Sequence, residues 1–181
     1  MNRLIYHLLS SRFGARLEIQ ILMRQTAKAF REGGGASKSP LFRKHSRDCC
    51  LNTYARFTAD AARRAINNGQ DMKHLHHRLY HMARHLGTQL RRRLKPENDQ
   101  ECQDIIALLY RNIGINIKES SPGEFTVQKC YFSTFYTPDI CAMISAIDQG
   151  IFAGIYGRGK LTFQERITEG RHACKAFLFS K

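Results

Sequence analysis

Between residues 130 and 174 the chain gathers most of the side chains that could do chemistry: the thiols of Cys130, Cys141 and Cys174, a lone acid at Asp148, and Glu165, Arg166 and His172. Asp148 sits in an otherwise apolar helical run, between Ile147 and Gly150. A carboxylate buried there costs free energy unless it is paired or opens on a pocket. Arg166 and Arg158 are its candidate partners, giving either a structural ion pair or a carboxyl whose raised pKa suits acid/base work. His172 and Cys174 are two apart, so a strand would point both the same way, and Arg171 beside them would favour the nucleophilic thiolate. Cys174 as a plain buried strand residue needs no such role. Cys130, Cys141, Cys174 and His172 also hold enough sulfur and nitrogen for four-coordinate zinc. Their spacing matches no standard pair, so neither a metal nor another cofactor is expected. Glu165 alternates with Phe163 and Ile167, which places it on their face and in reach of the same cavity, unless it lies on a solvated edge.

The elements that must position these groups follow from periodicity. Ile115 to Glu119 reads as a strand, residues 120–123 (Ser-Ser-Pro-Gly) as a turn, and Glu124 to Phe132 as a second strand. On that strand simple alternation puts Phe125 and Val127 on one face and Cys130 on the other. Thr137-Pro138-Asp139 opens a helix that carries Cys141, Ile144, Ile147, Asp148, Ile151 and Ile155. Glycines 150, 154 and 157 lie on or near one side of it, leaving room for a backbone or a ligand. A third strand, Leu161 to Thr168, and a last one from Ala173 to Phe179 flank the turn at Glu169-Gly170. The expected fold is α+β: N-terminal helices packed on a mostly antiparallel sheet of about four strands, crossed by one long helix, with a pocket between helix and sheet.

The order FTVQKCYF, a helix with Cys141 and Asp148, then LTFQERITEGRHACKAFLF resembles the L-2-amino-thiazoline-4-carboxylic acid hydrolase family. It is similar also to the 4-vinyl reductase ligand-binding domain; in both, a glycine followed four residues on by cysteine and then by a Phe-bearing strand closes the domain, here Gly170, Cys174 and Phe177. The resemblance spans about the last eighty residues. It implies a small-molecule hydrolase opening a cyclic amidine C–N bond. Asp148, Cys174 and Cys130 would be the catalytic groups, and Arg166, Glu165, Cys141 and His172 would bind the substrate. The second likeness implies a non-catalytic binding or sensor module instead.

Residues 1–96 read differently, as a basic helical region preceding an α/β region at 97–181, the two forming one compact domain. They hold 20 Lys and Arg against 5 Asp and Glu, while residues 97–181 hold 9 against 10, so the net +14 of the chain lies entirely in the first half. Such a surface attracts nucleic acid or an acidic partner, or is merely solvated; no aromatic platform for bases accompanies it. Leu4, Leu8, Leu17, Ile21 and Phe30 recur at helical spacing from Asn2 to Arg31, where Gly14 can break the helix. That stripe suits the core or, alternatively, a homo-oligomer contact. Residues 33–40 (GGGASKSP) read as a linker. A second helix, Ser46 to Ile66, and a third, Asp71 to Leu94, follow. The third carries His74, His77, His81 and His85 in a stripe where histidines four apart have the reach to share a metal, though without a carboxylate and among arginines. Pro96 then stops it, and Asn98 or Asp99 can cap a fourth helix with Cys102, Ile105, Ile106, Leu109 and Tyr110 inward. No transmembrane span, membrane partner or signal peptide is expected, and six cysteines without a framework spacing point to the cytoplasm.

Overall fold

The computed structural model describes residues 1–31 and 46–179. Its helices are α1 (Arg3–Ser10), α2 (Arg12–Arg31), α3 (Arg47–Asn67), α4 (Met72–Leu94), α5 (Asp99–Asn112) and α6 (Pro138–Tyr156). The strands are β1 (Ile115–Ser121), β2 (Glu124–Cys130), β3 (Lys160–Glu165) and β4 (Cys174–Phe179), in the order β1-β2-β4-β3 with every neighbour antiparallel. This is the α+β fold that the periodicity predicts. The linker expected at 33–40 lies outside the described residues.

Local chemistry sets the element boundaries. Ser46, Asp71, Asn98 and Thr137 each accept a backbone N–H at the start of a helix, and Gly157 ends α6 at φ +74°. The long first helix breaks at Ser11, whose Oγ accepts from the N–H of Gly14 at 3.0 Å. A β-carbon on Gly14 would lie 2.2 Å from the Leu8 carbonyl, so the chain folds back here because this residue is glycine.

Helix α6 is the core of the molecule. It is long and apolar enough to cross a bilayer, yet 72% of that stretch is buried among the other elements. On one side it meets α4 almost backbone to backbone. A β-carbon on Gly150 would come within 2.3 Å of the Tyr80 carbonyl, one on Gly154 within 2.5 Å of the Arg84 carbonyl, and one on Gly87 within 2.7 Å of the Ile151 carbonyl. The room left by these glycines is therefore taken by a helix backbone, not by a ligand. On another side Phe152 packs edge-on against Phe125 of β2 (4.9 Å between ring centroids) and Tyr110 of α5 (5.9 Å). Burying a side chain of this size contributes roughly 1.5–3 kcal/mol.

Several expectations change. The buried line of α4 runs through Leu75, Leu79, Ala83, Gly87 and Leu94, with Met72, Met82, Leu86 and Leu90 half-buried beside it. Ile66, near the end of α3, is 37% exposed. Leu4, Leu8, Leu17 and Ile21 also face solvent, whereas Leu22, Ala27 and Phe30 are buried.

Two β-bulges decide what the inner face of the sheet presents. In β2, Asn116 pairs with Lys129 but Ile117 pairs with Val127, so Gln128 is an extra residue. Alternation shifts by one, and Cys130, opposite buried Ile115, joins Phe125 and Val127 on the inner face instead of opposing them. In β3 the register passes from Phe163↔Ala176 to Glu165↔Lys175, leaving Gln164 extra. That bulge carries Glu165 to the outer face.

Candidate functional site

The inner face of the sheet, α6 and the aromatic segment after β2 enclose a hollow of about 80 Å³. Cys130 reaches it from the end of β2, Cys174 from the start of β4, and Cys141 and Asp148 from α6, two turns apart on one helical face with Ser145 between them. Tyr54 of α3 and Tyr136 form another wall. Their hydroxyls are tied away from the space, Tyr54 to Thr26 Oγ1 at 3.2 Å and Tyr136 to Thr58 Oγ1 at 2.6 Å. The volume is far below the roughly 300–1,000 Å³ of drug-sized sites and about half the roughly 150 Å³ that holds a benzene ring, so it suits a few waters and a ring-sized occupant must part its walls.

Asp148 is the chemical centre of this space. The Tyr110 hydroxyl donates to its Oδ1 at 2.7 Å. Burial pushes the carboxyl up to about 6, with the Tyr110 hydrogen bond and the Arg166 charge pulling the other way. A carboxyl so placed exchanges its proton near neutrality.

The thiols are held in the opposite condition. Burial pushes Cys130 up to about 12, and burial likewise raises Cys141 and Cys174, with Asp148 adding to each. Cys174 Sγ accepts a hydrogen bond from the Ile167 N–H at 3.3 Å. All three are therefore neutral thiols at physiological pH, polarizable lining rather than ready nucleophiles.

Beside the thiols stand two unsatisfied donors. The Thr168 hydroxyl lines the hollow near the Cys141 thiol but makes no aligned hydrogen bond, and Arg166 Nε is buried without a partner. The rest of Arg166 is fixed, with Nη1 on Glu169 at 3.2 Å and the guanidinium over the Phe163 ring at 5.1 Å.

Of the residues expected from sequence, Asp148, Cys130, Cys141 and Cys174 meet at one hollow and Arg166 stands beside it. Glu165 and His172 do not join them. Glu165 is turned outward by the bulge at Gln164 and pairs with Lys175 at 3.1 Å, while His172 is exposed on the turn before β4, outside the strand that would have aligned it with Cys174. Arg158 is bound to Asp99 at 2.7 Å and is no partner of Asp148. Tyr110, the actual partner, reads in sequence as one more inward residue of α5. Its signal is that a buried tyrosine hydroxyl needs an acceptor, and Asp148 is a buried acid without a cation in contact.

On α4 the His77 and His81 rings face each other, Nε2 to Nε2 2.9 Å, and Gln89 engages His85. No group of three or more His, Cys, Asp or Glu side chains is placed to hold a metal ion among the described residues. A search of family models, curated proteins and solved structures finds no match to this chain.

Proposed function

We propose that the protein is a hydrolase of small cyclic amidines bearing a carboxylate, the aminothiazoline carboxylate type, with Asp148 as its general base. The observation that carries this reading is the pairing of opposites at one small hollow: the half-buried carboxylate of Asp148, held at one oxygen by Tyr110, and the orphaned donors of Thr168 in the wall and Arg166 behind it. A buried lone acid is best satisfied by a cation, and an amidinium offers it two parallel N–H donors. The donors at Thr168 and Arg166 suit the carboxylate of the same molecule.

In the reaction, Asp148 takes a proton from water as the water oxygen bonds to the amidine carbon. The tetrahedral adduct then collapses, the ring C–N bond breaks, and Asp148 returns the proton to the leaving nitrogen. Tyr110 orients the carboxylate. The cysteines line the substrate and do not attack it, because their thiols stay protonated. Six free cysteines suit a reducing compartment such as the cytoplasm.

The test is incubation with 2-aminothiazoline-4-carboxylate, followed by proton NMR for ring opening, alongside a thermal-shift measurement. Turnover that disappears in Asp148→Asn supports the hydrolase. Ligand-induced stabilisation without turnover favours instead a binding module, and neither effect removes the assignment. A third reading, capture of nucleic acid by the basic half, predicts heparin retention that falls steeply with salt.

A further inference from the structure

We propose that the corner formed by α1 and α2 docks on an anionic membrane surface. Among the described residues seven large hydrophobic side chains are exposed, and five belong to this corner: Leu4 and Leu8 one turn apart on α1, then Phe13, Leu17 and Ile21 at successive turns of α2. The two stripes are separated only by the break at Ser11, so Leu8 and Phe13 flank the bend. This concentration decides against scattered surface apolar residues, which need no explanation.

The charge around the stripe identifies its occupant. Residues 1–31 hold six Lys and Arg and a single acid, Glu18. Glu18 is turned inward, where its Oε2 accepts from Asn112 Nδ2 at 2.9 Å. The stripe thus combines Leu, Phe and Ile with cations such as Arg3 and Arg24, and the carboxylates at its α1 end, Glu97 and Glu101, are engaged by the N-terminal amine. Helices that lie in the headgroup layer have this make-up, apolar side chains entering the acyl boundary and basic ones meeting anionic lipid. A second copy of the chain is disfavoured, because a two-fold contact would gather these cations with only Glu97 and Glu101, already on the N-terminal amine, to offset them. Nucleic acid is disfavoured too, since four of the five apolar residues are aliphatic and offer no ring for base stacking. The corner is held in place for such contact, with the N–H of Asn2 donating to the Leu94 carbonyl at 2.6 Å and Gly14 closing the bend. It would lie on the bilayer and not cross it.

The experiment is co-sedimentation of the full chain with vesicles of phosphatidylcholine alone or mixed with phosphatidylserine. The mixed vesicles should retain the protein, and rising salt should release it. The double variant Phe13→Glu/Leu17→Glu should weaken partitioning by about tenfold or more, and Arg3→Glu/Arg24→Glu should do the same, both with an unchanged thermal melt. Equal binding to phosphatidylcholine alone, no binding to either vesicle, or binding that both variants retain would overturn the proposal. A dimer in light scattering that Phe13→Glu/Leu17→Glu dissolves would overturn it in favour of a second copy.

Discussion

Helix α6 shows two faces to its neighbours, and they are built on opposite principles. Toward α4 it presents Gly150 and Gly154 and admits a helix backbone with no space left over. Toward the sheet it presents Cys141, Ser145 and Asp148 and keeps a hollow open. Small residues produce contact on the first face and medium polar ones produce a cavity on the second. Absence of side-chain volume therefore marks the packed face, and polarity marks the site.

The sharpest way to break this contrast is at Asp148. Asp148→Asn keeps the shape and removes the proton acceptor, so turnover should fall by about 10²–10⁴, measured by ring opening at saturating substrate. The same variant should be more stable than the parent at pH 8. A carboxyl whose native pKa lies near 6, above its ordinary 3.8, keeps its proton in the folded state while the unfolded chain has lost it. Native stability therefore falls as pH rises from about 4 to 6, by about 3 kcal/mol, and Asp148→Asn should abolish that portion of the slope in urea titrations. Glu18, pushed by burial to about 8 from 4.5, would sustain a decline from about pH 4.5 to 8 in both proteins, and Glu18→Gln should flatten it.

On the packed face, Gly154→Leu should cost about 3 kcal/mol or more in chemical denaturation, because backbone of α4 stands on the other side and cannot yield as a side-chain tip would. Tyr110→Phe comes next, with a stability loss of about 1–2 kcal/mol. It also moves the acidic limb of the pH-rate profile upward, since Asp148 loses the hydrogen bond that favours its charged form. A profile that does not move would confine Tyr110 to a packing role. The smallest effect is expected at Cys141→Ala, under about 1 kcal/mol in stability with turnover kept within tenfold, because a neutral thiol there contributes surface and not a nucleophile.

Much of the site was legible because a lone charge in an apolar helix has few explanations. Asp148 stood out for that reason, and the α+β order followed from the change of period after Gly114. What was not legible is register. Strict alternation placed Cys130 on the outer face and Glu165 on the inner one, and the structure exchanges them through single extra residues at Gln128 and Gln164. Neither glutamine carries a local sign of a bulge. Tyr110 escaped because its inward position on α5 is equally that of a core aromatic, and its hydroxyl meets Asp148 only in three dimensions. In sequence the stripe of Leu4, Leu8, Leu17 and Ile21 stays open between core and oligomer contact for a related reason: helical spacing finds an apolar stripe but does not say what covers it.

The paired bulges also fix how this hollow can be altered. Each extra residue flips the parity of the strand end that follows it, so removing Gln128 or Gln164 would straighten the ladder and leave Cys130 inward and Glu165 outward, whereas regular pairing at the present length would withdraw the sulfur or turn a second acid inward. Two single-residue bulges, independent of which amino acids form them, thus set whether the hollow is thiol-rich or doubly acidic.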